Sequence, residues 1–193
     1  MVRPVILLAL VALGACSSPG DLTYVAPAQI VAGPAVVADV TVTDKRDEKP
    51  NRIATIRGGY GNPVKVMDTT KPVATEVQDV FVKALTLRGM LRSRAPTHFE
   101  VVLHTLYGDQ YMGRKVDLMF DLIVRDDTNR VVYSDRVTGK DYEFTFLDNG
   151  IFASIDTLGK AVQATLNKSV DEALDKIGLR NALARMVPAS PVS

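Results

Sequence analysis

In three runs between Phe99 and Val137 apolar residues return at alternate positions, which restricts the chain to folds built on a half-buried sheet. Phe99, Val101, Leu103 and Tyr107 alternate with His98, Glu100, Val102 and His104. Val116, Leu118, Phe120, Leu122 and Val124 alternate in the same way with Asp117, Met119, Asp121, Ile123 and Arg125. The polar turn Asp126-Asp127-Thr128-Asn129 joins this run to Val131, Tyr133 and Val137, and a last strand is expected over Tyr142–Phe146. A symmetric turn sets Val124 opposite Val131 and Leu122 opposite Tyr133, so the apolar face is preserved. It also sets Asp135 opposite Phe120 on that face, a conflict that a bulge or a sheet edge near Gly139 would relieve.

Two segments switch from a period of two to a helical period. Val73, Val77, Val80, Ala84 and Leu87 recur at fours and threes, with Phe81 on the same face. Pro72 suits the first turn, Thr70 is a candidate cap, and Gly89 a candidate left-handed stop. Ile155, Leu158, Val162, Leu166, Val170, Leu174 and Ile177 continue a second stripe from Phe152, with Gly178 as its end or a bend. Ahead of these lie an alternating strand, Val36 to Val42, and an excursion from Asp44 to Met67 broken by Pro50, Gly58-Gly59, Gly61 and Pro63. The pattern predicts an α+β fold: a two-layer sandwich, antiparallel-dominated, with two amphipathic helices on one face.

The N-terminus carries a different signal. Val5–Leu13 is a nine-residue apolar run preceded by Arg3 and followed by Gly14-Ala15-Cys16, the chain's one cysteine. The run is too short to span a bilayer and has the length of a secretory h-region. It resembles the lipobox of bacterial lipoproteins, which implies cleavage before Cys16 and lipidation of its sulfur and new amino terminus. Ser17 in place of an acid implies, by the same resemblance, delivery to the outer membrane, with the domain on its periplasmic face. With Cys16 acylated, no thiol remains for an intramolecular disulfide, so the core must stabilise itself. The organisation expected is a leader over 1–15, lipidated Cys16 with a flexible tether to residue 34, one domain over 35–186 and a disordered tail over 187–193.

Charge and motif searches exclude several function classes. The 23 basic residues, less Arg3 of the leader, face 22 acidic ones, so the mature chain offers no field for nucleic acid. His98 and His104 stand six strand positions apart, roughly 20 Å, too far to share a metal ion. The carboxylate groups Asp117/Asp121, Asp126/Asp127 and Asp171/Glu172/Asp175 have basic neighbours or turn roles, the last read as a solvent-facing helix surface. No G-x-S-x-G elbow or S-x-x-K is present, and Arg57-Gly-Gly-Tyr-Gly-Asn-Pro63 is not a phosphate loop. No enzymatic role, metal or cofactor is therefore expected. Two glycine-framed loops offer candidate contacts for an envelope protein partner: Tyr60 in the excursion, and Tyr111 with Met112 at a hairpin tip. The membrane, through Cys16, is the other expected partner.

Taken together, the lipobox at Leu13–Cys16, the strand running into Asp44-Lys45-Arg46 with Lys49, the helix from Val73 to Gly89 and Gly150-Ile151-Phe152 resemble the YajG-type lipoproteins. That resemblance implies a small envelope lipoprotein without established activity. At the level of layout the chain is also similar to auxiliary lipoproteins of envelope transport systems, which implies an apolar groove between helices and sheet or a specific barrel or transporter partner. An envelope hydrolase, the third reading, requires a pocket gathering His104 with a serine or carboxylate.

Overall fold

The computed structural model describes residues 16–144 and 153–187. The leader, Phe146, the expected helix start at Gly150-Ile151-Phe152 and the tail beyond Val187 lie outside them. The strands are β1 (Cys16–Pro19), β2 (Val37–Asp44), β3 (Arg52–Arg57), β4 (Pro63–Asp68), β5 (Thr97–Gln110), β6 (Arg114–Asp126) and β7 (Val131–Glu143). The helices are α1 (Val73–Leu87), α2 (Ile155–Asp175) and α3 (Ile177–Ala184). One seven-stranded sheet runs β1-β4-β3-β5-β6-β7, with β2 also paired to β5.

The α+β expectation holds, with two corrections. The sheet is mixed rather than antiparallel-dominated, because β1–β4, β2–β5 and β3–β5 are parallel while β3–β4, β5–β6 and β6–β7 are antiparallel. Alternation reveals which side of a strand is buried, not the direction of its neighbour. The described helices number three, because α2 stops at Lys176, whose backbone is extended (φ −58°, ψ 129°), two residues before Gly178. All three lie on one face. Phe81 of α1 meets Phe120 of β6 edge to face, with centroids 5.6 Å apart. Val162 and Leu158 of α2 close over Gly108, Ser169 and Thr165 over Gly139, and Gly178 of α3 packs beside Tyr133. The hydrophobic core fills the space between these layers, with Phe99, Leu103, Leu106, Phe120, Leu158 and Leu166 fully buried.

β5 is the spine of the sheet, and a bulge divides it. Register against β6 shifts between Leu103 and Thr105, so Leu106 turns into the core and Tyr107 out of it, opposite to strict alternation. At the same place β5 changes partners: β2 pairs with it as far as Leu103, and β3 takes over from Gly108. The buried Arg46 side chain occupies the fork. It donates to the carbonyls of Arg52 (2.8 Å), Leu106 (3.2 Å) and Pro50 (3.2 Å) and pairs with Asp44 at 2.9 Å. A planar fork of donors is suited to backbone carbonyls left without strand partners. The expected excursion is the β3–β4 hairpin.

A second irregularity moves Asp135 along the core face without taking it off that face, and an ion pair relieves the conflict. Register between β6 and β7 shifts at Val124/Arg125, so Val137 faces Phe120 and Asp135 faces Leu122. Asp135 meets the ammonium of Lys176 at the α2–α3 break. The strands expected separately around Val131–Val137 and from Tyr142 are one strand as far as Glu143.

Helix ends follow local chemistry. At the end of α1, Gly89 has φ +67°; its N–H donates to the Thr86 carbonyl and that of Met90 to the Leu85 carbonyl. These are the paired bonds of a Schellman stop. At the start Thr70 does not cap; Pro72 occupies the cap position, and the Thr70 N–H donates to Asp21. Ser154 caps α2, accepting from the Thr157 N–H.

The stretch expected as a flexible tether lies on the domain. After β1, Leu22 is buried, and the Thr23 carbonyl accepts from Asn167 at 3.2 Å. The Tyr24 hydroxyl donates to Asp171 and accepts from Arg88 at 2.7 Å. Farther on, the Ala32 carbonyl accepts from Arg180, and the Gly33 N–H donates to the Arg88 carbonyl. Arg88 has no exposed side-chain surface and also contacts Asp171 (2.9 Å) and Asp175 (3.5 Å). One guanidinium thus joins α1, α2 and the crossing strap.

Candidate functional site

The three residues expected to touch a partner converge. Because β3 runs parallel to β5, with Ile56 beside Gln110, the 58–62 turn and the 111–113 turn leave the sheet at the same end. The Tyr111 hydroxyl donates to the Gly59 carbonyl at 3.0 Å. Arg57 holds the two necks together, pairing with Asp109 at 2.6 Å and donating to the Gly61 carbonyl at 3.3 Å. Gly61 takes the left-handed conformation (φ +78°) that reverses the chain. Tyr60 is fully exposed, Met112 is 67% exposed and Tyr111 is partly exposed. These side chains do not fold back to cover an edge.

Two members of the group were not anticipated. Tyr142 and Phe144, 69% and 62% exposed, lie at the end of β7, where Glu143 pairs with Arg114. A Cβ on Gly113 would stand 3.1 Å from the Glu143 carbonyl and 3.6 Å from the Tyr142 hydroxyl, which locates them beside the 111–113 turn. Their strand-like sequence concealed their exposure; the available signal was an aromatic at two alternate positions beyond the last buried β7 residue, Val137. Tyr60, Tyr111, Tyr142 and Phe144 are the exposed aromatic side chains among the described residues, and all four are at this tip.

Cys16 belongs to the same end. It opens β1, the edge strand, and its backbone is in register with Lys65, two residues into β4. At about 3.3 Å per residue, that is roughly 7 Å from the start of β4 at the tip. Lys65 donates to the Ala153 carbonyl at 2.7 Å.

The sheet face opposite the helices is a lattice of ion pairs. His98 meets Asp39 at 3.0 Å, Glu100 meets Arg125 at 3.0 Å, and His104 meets Asp121 at 2.8 Å. Arg136 grips both oxygens of Asp121, at 2.6 and 2.8 Å. Arg136 first, and His104 after it, hold the Asp121 pKa down at about 2. A depressed carboxylate pKa stabilises the fold above its unfolded value near 3.8 and loses that contribution as pH falls toward 2. Carboxyl carbon NMR should therefore find Asp121 titrating near pH 2, and Arg136→Ala should move the midpoint upward. An unchanged midpoint would remove Arg136 as the cause.

Two concavities bear on the chemical readings. One of about 520 Å³ lies between β7 and α2, bordered by Arg114, Lys140, Lys160 and Lys168, with Ala161 and Ala164 as its apolar lining. The other, about 220 Å³, collects His104 with Asp47, Glu48 and Asp117. It has the histidine and carboxylates that a hydrolase needs. Its hydroxyls come from Thr105 and Tyr107 rather than serine, and His104 Nε2 is engaged by Asp121. Among the described residues, no three His, Cys, Asp or Glu side chains are grouped to hold a metal ion. No described helix is long and apolar enough to cross a membrane.

No family model matches the chain, and no curated protein matches it significantly. Among solved structures it is similar to protein XCC0632 from Xanthomonas campestris, of family DUF330. The TM-score is 0.58 at 14% identity, over 88% of this chain and 98% of that one. The PelC dodecamer from Paraburkholderia phytofirmans aligns over 80% of this chain and 96% of its own, at 10% identity and a TM-score of 0.46. Lipoprotein GNA1162 from Neisseria meningitidis aligns over 70% and 97%, at 12% identity and a TM-score of 0.31. The chain shares its fold with the first of these.

Proposed function

We propose that this chain is a non-enzymatic envelope lipoprotein. It is anchored through Cys16 to the periplasmic face of the outer membrane and serves there as an accessory or binding module. The observation that carries the reading is the position of Cys16, which closes the lipobox Leu13–Cys16 after the apolar run Val5–Leu13 and begins an edge strand at an end of the sheet. More than one acyl chain there makes attachment effectively stable. The YajG-type resemblance supports the same reading, with Asp44 and Arg46 of its shared segment holding the β5 fork.

The test is Cys16→Ser in a Gram-negative host, with fractionation and intact-mass measurement of the product. The native protein is expected in the outer-membrane fraction with the mass of acyl additions at residue 16. The variant is expected as unprocessed or soluble material. A native protein with a bare thiol, or a serine variant that matures and remains on the membrane, overturns the anchor.

The alternative reading, an auxiliary subunit for lipid or lipopolysaccharide transport, calls for an apolar groove between helices and sheet. The β7–α2 concavity is lined by charges of both signs, Arg114, Lys140, Lys160 and Lys168 with Asp141 and Glu172, rather than by an apolar surface; capture of a specific barrel or transporter partner would favour the transport reading. A hydrolase reading draws on the His104 concavity; activity abolished by His104→Gln against an ester or glycoside panel would establish it.

A further inference from the structure

The geometry points to the aromatic tip as a bilayer-contacting surface: Tyr60, Tyr111, Met112, Tyr142 and Phe144 rest in the interfacial layer of the membrane that holds Cys16. This deepens the lipid-anchor reading and rests on it.

Three observations combine. First, the exposed aromatic side chains of the described residues gather at one end of the sheet, with Met112 among them, rather than scattering over the surface. Single exposed apolar residues are ordinary, whereas a contiguous group marks an interaction surface. Second, the chemistry fits a membrane boundary better than a dry protein interface. Three of the four rings are tyrosines, which present an apolar body and a polar edge, the combination enriched at headgroup depth.

Third, the register of β1 against β4 sets the Cys16 backbone at the same end, about 7 Å from the tip by strand rise. The headgroup layer is itself about 5–8 Å deep on each side of the hydrocarbon. A lipid on Cys16 therefore brings the 58–62 and 111–113 turns to headgroup depth without stretching any linker. The chain between Cys16 and Leu22 is committed to β1 and to the strap, so the domain has no long leash on which to float away.

Charge at this end permits the contact without driving it. Arg57 is paired with Asp109, Arg114 with Asp141 and Glu143, and Lys115 with Asp117. With these cations already matched, attraction to anionic headgroups is small, and tip insertion should be nearly independent of salt.

The chain contains no tryptophan, so one introduced tryptophan reports its own depth. Full-length protein purified from membranes, carrying Tyr60→Trp, Met112→Trp or Phe144→Trp, would be reconstituted into phosphatidylethanolamine–phosphatidylglycerol vesicles with brominated acyl chains. Val131→Trp, exposed at the opposite end of β7, is the reference. Circular dichroism of each variant confirms folding. The expected result is strong quenching by brominated lipid at the three tip positions, with several-fold less quenching by aqueous iodide than at Val131. Equal iodide access at all four positions overturns the proposal. So does shielding in native membranes without lipid quenching in vesicles, which would assign the tip to a protein partner.

Intact mass of the same preparations separates the two levels. Acylated protein with a water-exposed tip retains the anchor and loses this inference. Unacylated protein whose tip is still quenched by brominated lipid keeps the tip as a bilayer contact but removes its link to Cys16 and the anchor, and failure of both removes both.

Discussion

Replacing Arg88 with alanine should cost about 3–5 kcal/mol of folding stability, the range seen when one partner of a buried ion pair is removed. The side chain is wholly enclosed and is among the largest fully buried ones of the described residues. Its two terminal nitrogens are engaged by Tyr24 and Asp171, and its Nε lies 3.5 Å from Asp175. Truncation removes that volume, strips the counter-charge from two carboxylates of α2 and releases the phenol that holds the strap. Arg88→Met separates these effects. It keeps most of the volume but removes the same charge, so the loss common to both variants measures the unpaired carboxylates and the released strap, and the further loss in alanine measures the cavity. Urea unfolding measured for both is the check. An alanine variant within about 1 kcal/mol of the parent would show that the strap and the helices hold together without this group.

Phe120→Ala should be comparably damaging, at about 3–5 kcal/mol, the usual range for emptying a large aromatic site in a packed core. Phe120 is fully buried at the centre of β6, and its ring stands at 87° to that of Phe81. It is where α1 meets β6, through the ring of Phe81. A double-mutant cycle with Phe81→Leu and Phe120→Leu isolates the edge-to-face contact, which should couple by about 0.5–1.5 kcal/mol. Coupling near zero would mean that the rings contribute by volume alone. Loss of cooperativity in the alanine variant would show as a changed denaturant slope rather than only a shifted midpoint.

How far the fold could be read in advance depended on whether the information was local. Period-two runs identified β5, β6 and β7, and period-3.6 stripes identified α1 and α2, because burial imprints itself on neighbouring residues. Gly89 was legible for the same reason: a left-handed stop needs only its own backbone. The bulge at Leu103–Thr105 was not legible, and so Tyr107 was expected inside; one extra residue reverses every later side chain without altering composition. Strand direction was also hidden. Val36–Val42 reads the same whether its neighbour runs with it or against it, so the parallel β2–β5 pairing could not be anticipated.

Long-range polar contacts were the largest blind spot. Asp171 and Asp175 read as part of a solvent-facing surface because Lys168 and Lys176 are near in sequence, yet their partner is Arg88, more than eighty residues away. The strap was hidden for the same reason: Leu22 and Tyr24 sit among Ser, Pro and Gly, and their seats belong to other elements. At the candidate site, Tyr60, Tyr111 and Met112 could be found because glycines frame them. Tyr142 and Phe144 could not, since exposure at a strand end depends on where the neighbouring strands stop.

The short β1 strand also has a mechanical meaning. Tension arriving at Cys16 along the strand axis would load the β1–β4 hydrogen bonds in shear, sharing the force across the strand pair instead of unzipping it bond by bond. Behind that pair, the Gly20 N–H bond to the Asp68 carbonyl and the seated Leu22 carry the next share. Drag on the globule would therefore be borne by its sheet, and its rate of yielding set by the slow unfolding of packed structure rather than by the slack of a string.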